Sequence, residues 1–103
     1  MMIVRIENPL ERGKEISFVC RWEKTRTGFR HCVETEDGIR KNTSYLNRTW
    51  ECYQYQTALH RCIEEWLKCR TGLKPRTKRD GARFDELYYS MCGAVDERAK
   101  LRG

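Results

Sequence analysis

Residues 16–46 alternate between apolar and polar positions with a period of two, which is the pattern of half-buried β-strands. In EISFVCRWEK the second, fourth, sixth and eighth residues are apolar or aromatic, and GFRHCVETE continues the alternation after the turn TRTG. Asp37-Gly38 is the strongest hairpin signal in the chain, and it leads into the more polar strand IRKNTSYL. This stretch therefore predicts a three-stranded antiparallel meander. MIVRI, near the amino terminus, leaves a fourth strand as an open alternative.

Beyond the meander the apolar residues recur at steps of three and four, which predicts an amphipathic helix over residues 49–70. Thr49 or Asn47 is the expected N-cap, and Gly72 is expected to end the helix. A second helix is predicted over residues 82–101. The predicted apolar faces comprise Cys52, Tyr55, Leu59, Cys62, Ile63, Trp66 and Cys69 in the first helix and Phe84, Leu87, Tyr88, Met91 and Val95 in the second.

These elements predict one α+β domain that spans residues 1–103. Its core is a sheet-plus-helix unit over residues 16–70, which a basic loop over residues 71–81 joins to the C-terminal helix. A three-stranded sheet alone is only marginally stable, so the first helix is expected to pack across one face and complete the core. The other face of the sheet would then remain open to solvent.

The junction NRTWECYQYQ, between the sheet and the first helix, is rich in aromatic residues. Large aromatic side chains are most often buried, so Trp50 and Tyr55 are expected to cover the edge where the helix folds back over the sheet. Tyr53 is expected to be exposed. The alternative is an aromatic platform beside Arg48 that contacts a base or a partner side chain.

The chain is strongly basic, with a net charge of +6 and a pI near 9.1. Such a balance favours encounters with nucleic acid, an anionic membrane surface or an acidic protein. No apolar stretch approaches the length of a membrane span, and MMIVRIENPLERGKE lacks the apolar segment of a signal peptide. We therefore expect a cytoplasmic protein that does not bind a membrane. The sequence does not indicate whether the protein is a monomer or an oligomer.

Cysteine is abundant for a chain of this length, which raises the question of disulfides or zinc. The sequence has no CxxC, whereas zinc ligands usually come in close pairs, and stable disulfides are rare in a reducing compartment. We expect free, mostly buried thiols and no metal site, and a zinc-stabilised module stays open as an alternative. The cysteines are Cys20, Cys32, Cys52, Cys62, Cys69 and Cys92.

Motifs typical of enzymes are missing from the sequence, which has no GxGxxG, P-loop, HExxH or GxSxG. Of the two histidines, His31 falls on a core-facing strand position, and His60 falls beside the apolar face of the first helix, where we expect it at the surface. Adjacent carboxylates such as Glu64-Glu65 point in different directions on a helix. We therefore expect a protein that acts by binding, with no catalytic residue and no cofactor.

The open sheet face is expected to carry an arginine on every strand of the meander, a set suited to phosphates and base edges. Glu23 and Glu34 on the same face could instead pair with these arginines across strands. The run CRTGLKPRTKRDG is a basic loop, for which phosphate contact and a solvated linker are both open. The favoured partner is nucleic acid or a nucleoprotein complex, through Arg21, Arg30, Arg40, Asn42, Arg48, Lys74, Arg76, Lys78 and Arg79.

The alternative partner is a host protein, such as an enzyme or a defence complex that this chain would inhibit. Aromatic side chains anchor protein interfaces, so exposed Tyr53, Tyr88 and Tyr89 would then carry the binding. The salt dependence of binding separates the two cases, because phosphate contacts weaken steeply with salt and an aromatic interface does not.

Two resemblances suggest a biological setting. The order of sheet and helix over residues 16–70 resembles the amino-terminal DNA-binding arm domain of phage and transposon integrases, in which the sheet enters the major groove. Trp22, Gly28-Phe29 and the junction at residues 47–57 form a pattern similar to that of small uncharacterised proteins of phages and other mobile elements. These likenesses imply a phage-type accessory protein that binds DNA or blocks a host factor, as anti-CRISPR proteins do.

Overall fold

The computed structural model describes residues 1–45 and 55–100, which form a four-stranded sheet and two α-helices. This is the α+β architecture that the sequence predicts, and the fourth strand left open there is present. Neither helix in these ranges combines the length and apolar character that crossing a membrane requires. The elements are β1 (Met2–Glu7), β2 (Glu15–Lys24), β3 (Phe29–Thr35), β4 (Arg40–Tyr45), α1 (Gln56–Thr71) and α2 (Gly81–Lys100).

The sheet is an antiparallel meander in the order β1-β2-β3-β4, so each strand pairs with its neighbour in sequence. Gly38 has a φ of 89° in the turn between β3 and β4, a conformation that side chains avoid, as the Asp-Gly signal predicts. The register pairs Arg21 with Cys32, and Cys32 with Asn42. Since directly paired residues point to the same side of a sheet, the register fixes which side chains lie together.

Both helices pack on the same face of the sheet. α1 lies against β3 and β4, α2 lies against β1, and the two helices contact each other. Trp66 of α1 is 2% exposed and Phe18 of β2 is fully buried, so the helices close over the middle of the sheet. Val4, Val33, Leu59, Ile63, Leu67, Met91 and Val95 are also buried in this core.

None of the described elements covers the opposite side of the sheet, which we call the open face. The alternation in the sequence predicts the side on which each strand residue lies, and the register agrees with it. The open face comprises Ile3, Arg5, Glu7, Glu15, Ser17, Val19, Arg21, Glu23, Arg30, Cys32, Glu34, Arg40, Asn42 and Ser44.

Two side chains of the predicted core are in fact exposed. Trp22 is 50% exposed, although it lies on the helix side of the sheet and its ring packs against Phe29 with centroids 5.3 Å apart. Alternation predicts the side of the sheet, but not how much of a strand end the helices cover. Cys69 is exposed because it lies in the last turn of α1, beyond the buried Trp66 and Leu67.

α1 begins at Gln56, later in the chain than the predicted start, and Tyr55 before it makes no side-chain cap hydrogen bond. The predicted caps Thr49 and Asn47, like Trp50, lie outside the described residues. Tyr55 is half-buried, and its ring lies 4.5 Å from that of His31, which is fully buried as the sequence predicts. The expected contact of Tyr55 with the sheet is therefore present.

Candidate nucleic-acid interface

The basic loop predicted over residues 71–81 is present as residues 72–80, between the end of α1 and the start of α2. The name refers to residues 72–80 from here on. Gly72 has a φ of 70°, and its N–H donates to the carbonyl of Lys68 at 3.0 Å, which ends α1. Asp80 Oδ2 accepts the backbone N–H of Lys74 at 3.1 Å. The Thr77 hydroxyl donates to the Lys74 carbonyl at 3.0 Å and accepts the N–H of Asp80 at 3.2 Å. Hydrogen bonds within the loop thus fix its backbone path.

The basic side chains of this loop, Lys74, Arg76, Lys78 and Arg79, are all exposed. Among the described residues, only Arg79 of this group forms an ion pair, to Asp80 at 3.9 Å, and 94% of the Arg79 side chain stays exposed. The loop therefore presents positive charge to which no carboxylate of the described ranges other than that of Asp80 comes within ion-pair distance. An open depression of about 440 Å³ beside it is lined by Glu64, Lys68, Lys74, Pro75, Arg76 and Thr77.

The arginines predicted for the open face do lie there, but two of them already have partners. Arg30 Nη2 donates to Glu23 Oε2 at 2.9 Å, and Arg40 Nε donates to Cys32 Sγ at 3.0 Å. Arg21 is exposed and forms no ion pair within the described residues. The pairing with glutamate that the sequence left open is thus present at Arg30. Within residues 1–45 and 55–100, Arg21 is the only one of these three arginines whose side chain has no such partner.

The open face has no net charge, because its glutamates match its arginines in number. The excess positive charge of the chain therefore resides elsewhere, in the helix layer, the turns and the basic loop. The arginines of the face are Arg5, Arg21, Arg30 and Arg40, and its glutamates are Glu7, Glu15, Glu23 and Glu34.

The basic loop and the open face do not form one surface. The loop connects two helices that both pack on one side of the sheet, and the depression beside it is lined by α1 side chains. Arg21, Arg30, Arg40 and Asn42 point to the other side. One nucleic-acid segment in contact with both patches, the simplest arrangement for a combined interface, would have to pass around the edge of the sheet.

Of the predicted partner-binding tyrosines within the described part of the chain, only Tyr89 is exposed, at 68%. Tyr88 is half-buried, as its place on the predicted apolar face of the second helix indicates and not exposed as the protein-binding alternative expects, and its ring is stacked on Phe84 at 5.9 Å. Burial, followed by the interaction with the Cys92 thiol, raises the pKa of Tyr88 to about 12. Tyr53 and Arg48 lie outside the described residues.

The five described cysteines carry free thiols, and all except Cys69 are buried, as the sequence predicts for most of them. Burial raises the pKa of Cys20 and Cys62 to about 12 each and that of Cys92 to about 11, so these thiols remain protonated near neutral pH. Within residues 1–45 and 55–100, no three His, Cys, Asp or Glu side chains come close enough together to hold a metal ion.

Polar contacts between a helix and another element were not predicted from the sequence, and two of them are close pairs that involve α1. Arg70 at the end of α1 pairs with Asp37 in the β3–β4 turn, with Nη2 2.6 Å from Oδ2. His60 Nε2 of α1 lies 2.8 Å from Asp96 Oδ1 of α2, and the side chain is 27% exposed rather than free at the surface. Both pairs link residues far apart in sequence, so the periodicity within one element cannot predict them.

No protein-family model, curated protein or solved structure shows significant similarity to this chain.

Proposed function

We propose that this protein acts without catalysis by binding the phosphate backbone of nucleic acid through the basic loop, alone or within a nucleoprotein complex. The observation that carries the proposal is the set of four exposed cations, Lys74, Arg76, Lys78 and Arg79, on a loop whose path is fixed by its own hydrogen bonds. Lysine and arginine that neutralise phosphates release condensed counterions, and this release supplies most of the affinity of sequence-independent binding.

The fixed loop favours binding because less conformational freedom is lost when it meets a partner. Arg76 and Arg79 can each donate two parallel hydrogen bonds to one phosphate, while Lys74 and Lys78 act as point charges. The loop itself carries no aromatic side chain on which a base could stack. We therefore expect binding that depends on backbone charge and only weakly on base sequence.

The open-face arginines are weaker candidates in this proposal. Arg30 and Arg40 would have to exchange existing partners for a phosphate, and the glutamates of the face repel a polyanion. Arg21 and Asn42, both exposed, are the members of this group that could still contact nucleic acid. We expect their replacement to weaken binding less than replacement of the loop cations.

The setting that we propose is the cytoplasm of a bacterial cell, with the chain as an accessory protein of a phage or mobile element. The support for it is the sequence likeness at Trp22, Gly28-Phe29 and the junction, together with free thiols that suit a reducing compartment.

The test is fluorescence-anisotropy binding to labelled duplex DNA, single-stranded DNA and RNA, with two variants that lose the same charge. One variant changes Lys74, Arg76, Lys78 and Arg79 to Ala, and its control changes the exposed Arg12, Lys14, Lys24 and Arg26 to Ala. Each variant has a net charge of +2 instead of +6. We expect the loop variant to lose at least about 10-fold in affinity and the control to lose only a few-fold. Equal losses, or no binding by the unmodified protein at low salt, would contradict the proposal.

A second candidate is a protein-binding inhibitor of a host enzyme or defence complex, favoured by one observation. Tyr89 is 68% exposed on α2, and its ring packs edge-on at 5.3 Å against the ring of Tyr88. An exposed aromatic side chain is a common anchor of protein interfaces. In this case Tyr89→Ala would abolish binding to the partner, and binding would change little with salt.

A further inference from the structure

The open face is an unusual surface for this protein because it is neutral while the chain as a whole is strongly basic. The net charge is +6, yet the arginines and glutamates of the face cancel. A neutral face has no long-range attraction for a polyanion or for an acidic protein. It is, however, the region of the molecule where a second positively charged copy can approach with least repulsion.

The accessible apolar side chains of the open face are Ile3 and Val19, which pair across β1 and β2 and are both half-buried. Cys32 on β3 is only 4% exposed, and its sulfur accepts a hydrogen bond from Arg40, so it adds little apolar surface. Charged side chains surround the Ile3–Val19 pair, for example Glu34 opposite Val19 on β3 and Arg5 on β1. An apolar centre within a polar rim is the usual composition of a protein–protein interface.

From these observations we propose that the open face is the interface of a homodimer, in which a second copy of this chain packs on it face to face. A two-fold interface uses the same patch on both subunits, so that patch must be complementary to itself. Equal numbers of positive and negative side chains are compatible with this requirement, because each charge of one face can meet an opposite charge of the other. Two faces of this kind can form ion pairs across the interface in place of, or in addition to, pairs within one chain such as Arg30–Glu23.

The size of the face indicates how tight this dimer is. The footprint of the face follows from the dimensions of its strands. Four strands spaced about 4.8 Å apart, each about six residues long at about 3.3 Å per residue, cover roughly 400 Å² in plan. Stable specific interfaces bury about 800 Å² of accessible surface per partner, and rough side chains make the accessible area of a face larger than its footprint in plan. The dimer therefore falls at the small end of specific interfaces, and we expect a micromolar dissociation constant.

The dimer does not depend on the proposed nucleic-acid binding. The basic loop lies in the helix layer, on the other side of the sheet, so face-to-face packing leaves both loops accessible on opposite outer surfaces of the dimer. Oligomeric state and nucleic-acid binding can therefore be tested separately, and either could fail without the other.

The first test is sedimentation equilibrium of the full chain over a range of concentrations. Val19→Lys places a charge at the apolar centre of the face, and Leu10→Lys makes the same change at an exposed position in the β1–β2 turn. We expect Val19→Lys to raise the dimer dissociation constant at least about 10-fold and Leu10→Lys to leave it unchanged, with circular dichroism confirming that both variants fold. An unmodified protein that stays monomeric up to roughly 1 mM would overturn the proposal, as would a dimer that both variants leave intact.

A charge-swap pair gives the more specific test. Arg21→Glu gives the face a net charge of −2, and Glu34→Arg gives it +2. Each variant alone is expected to be monomeric because like faces repel, and an equimolar mixture is expected to form a heterodimer at least as tight as the original dimer. A mixture that stays monomeric while the unmodified protein dimerises would show that the dimer uses another surface.

Discussion

Asp80 holds the basic loop closed, so its replacement separates the order of the loop from its charge. Its carboxylate accepts the N–H of Lys74 at 3.1 Å, and its side chain is only 19% exposed. A hydrogen bond to a charged group contributes about 1.5–3 kcal/mol to stability, and partial exposure lowers this to about 1 kcal/mol here. We expect Asp80→Ala to lower the melting temperature by about 4–8 °C. Asp80→Asn keeps an acceptor oxygen and should cost about half as much.

The two variants should differ in binding even though both remove one negative charge. A unit charge about 8 Å from a phosphate contributes roughly 0.5 kcal/mol in water, and less with salt screening, so this effect tightens binding only slightly. Ordering a loop that has lost its closing bond costs about 0.5–1.5 kcal/mol for each side chain immobilised. The ordering cost is the larger effect. We therefore expect Asp80→Ala to bind duplex DNA about 3- to 10-fold more weakly, and Asp80→Asn to bind equally or slightly more tightly.

Fluorescence anisotropy with a labelled duplex measures this difference, and thermal unfolding followed by circular dichroism measures the loss of stability. We expect Asp80→Ala to weaken binding and Asp80→Asn to leave it unchanged or slightly tighter. If Asp80→Ala binds as tightly as Asp80→Asn although its melting temperature falls as expected, the fixed path of the loop does not contribute to binding.

Three further predictions concern the fold. Phe18→Ala removes a fully buried ring from β2 and should lower the free energy of unfolding by about 3–5 kcal/mol in urea titrations, and an unchanged stability would contradict the described core. Burial acts to raise the pKa of Asp37, but hydrogen bonds from Thr35 and Arg70 outweigh it and lower the pKa below 3.8. The stability from this ionised carboxylate is therefore present above about pH 4 and lost as the pH falls through the lowered pKa, and Asp37→Asn should reduce that acid dependence. Of the described thiols, exposed Cys69 should react first with a maleimide near neutral pH, with Cys69→Ser as the control, and equally fast labelling of Cys20 in the folded protein would contradict its burial.

The sheet was largely predictable because its signals are local. The alternation in EISFVCRWEK assigns each β2 side chain to one side of the sheet, and Asp37-Gly38 sets the turn that aligns β3 with β4. Arg21, Arg30 and Arg40 consequently lie on the face predicted for them. The exposed basic loop was predictable for the same reason, since Gly72 and Pro75 interrupt the helical period around a run of cations.

Features that depend on contacts between distant elements were not predictable in this way. The partners of the open-face arginines, such as Arg40 with Cys32, depend on side-chain directions that a two-residue period does not fix. The exposure of Trp22 depends on how far the helices reach over the end of β2, and periodicity gives no crossing geometry. Likewise, the separation of the basic loop from the open face follows from both helices lying on one side of the sheet.

The most direct test of loop-mediated phosphate binding is the slope of log affinity against log salt concentration for duplex DNA. Each phosphate neutralised contributes about −0.9 to this slope for duplex DNA. If Lys74, Arg76, Lys78 and Arg79 contact phosphates, their replacement by alanine should make the slope shallower by roughly 3.6. The charge-matched Arg12, Lys14, Lys24 and Arg26 variant should keep nearly the original slope. An unchanged slope in the loop variant would show that these cations do not contact the backbone and would contradict the proposed function.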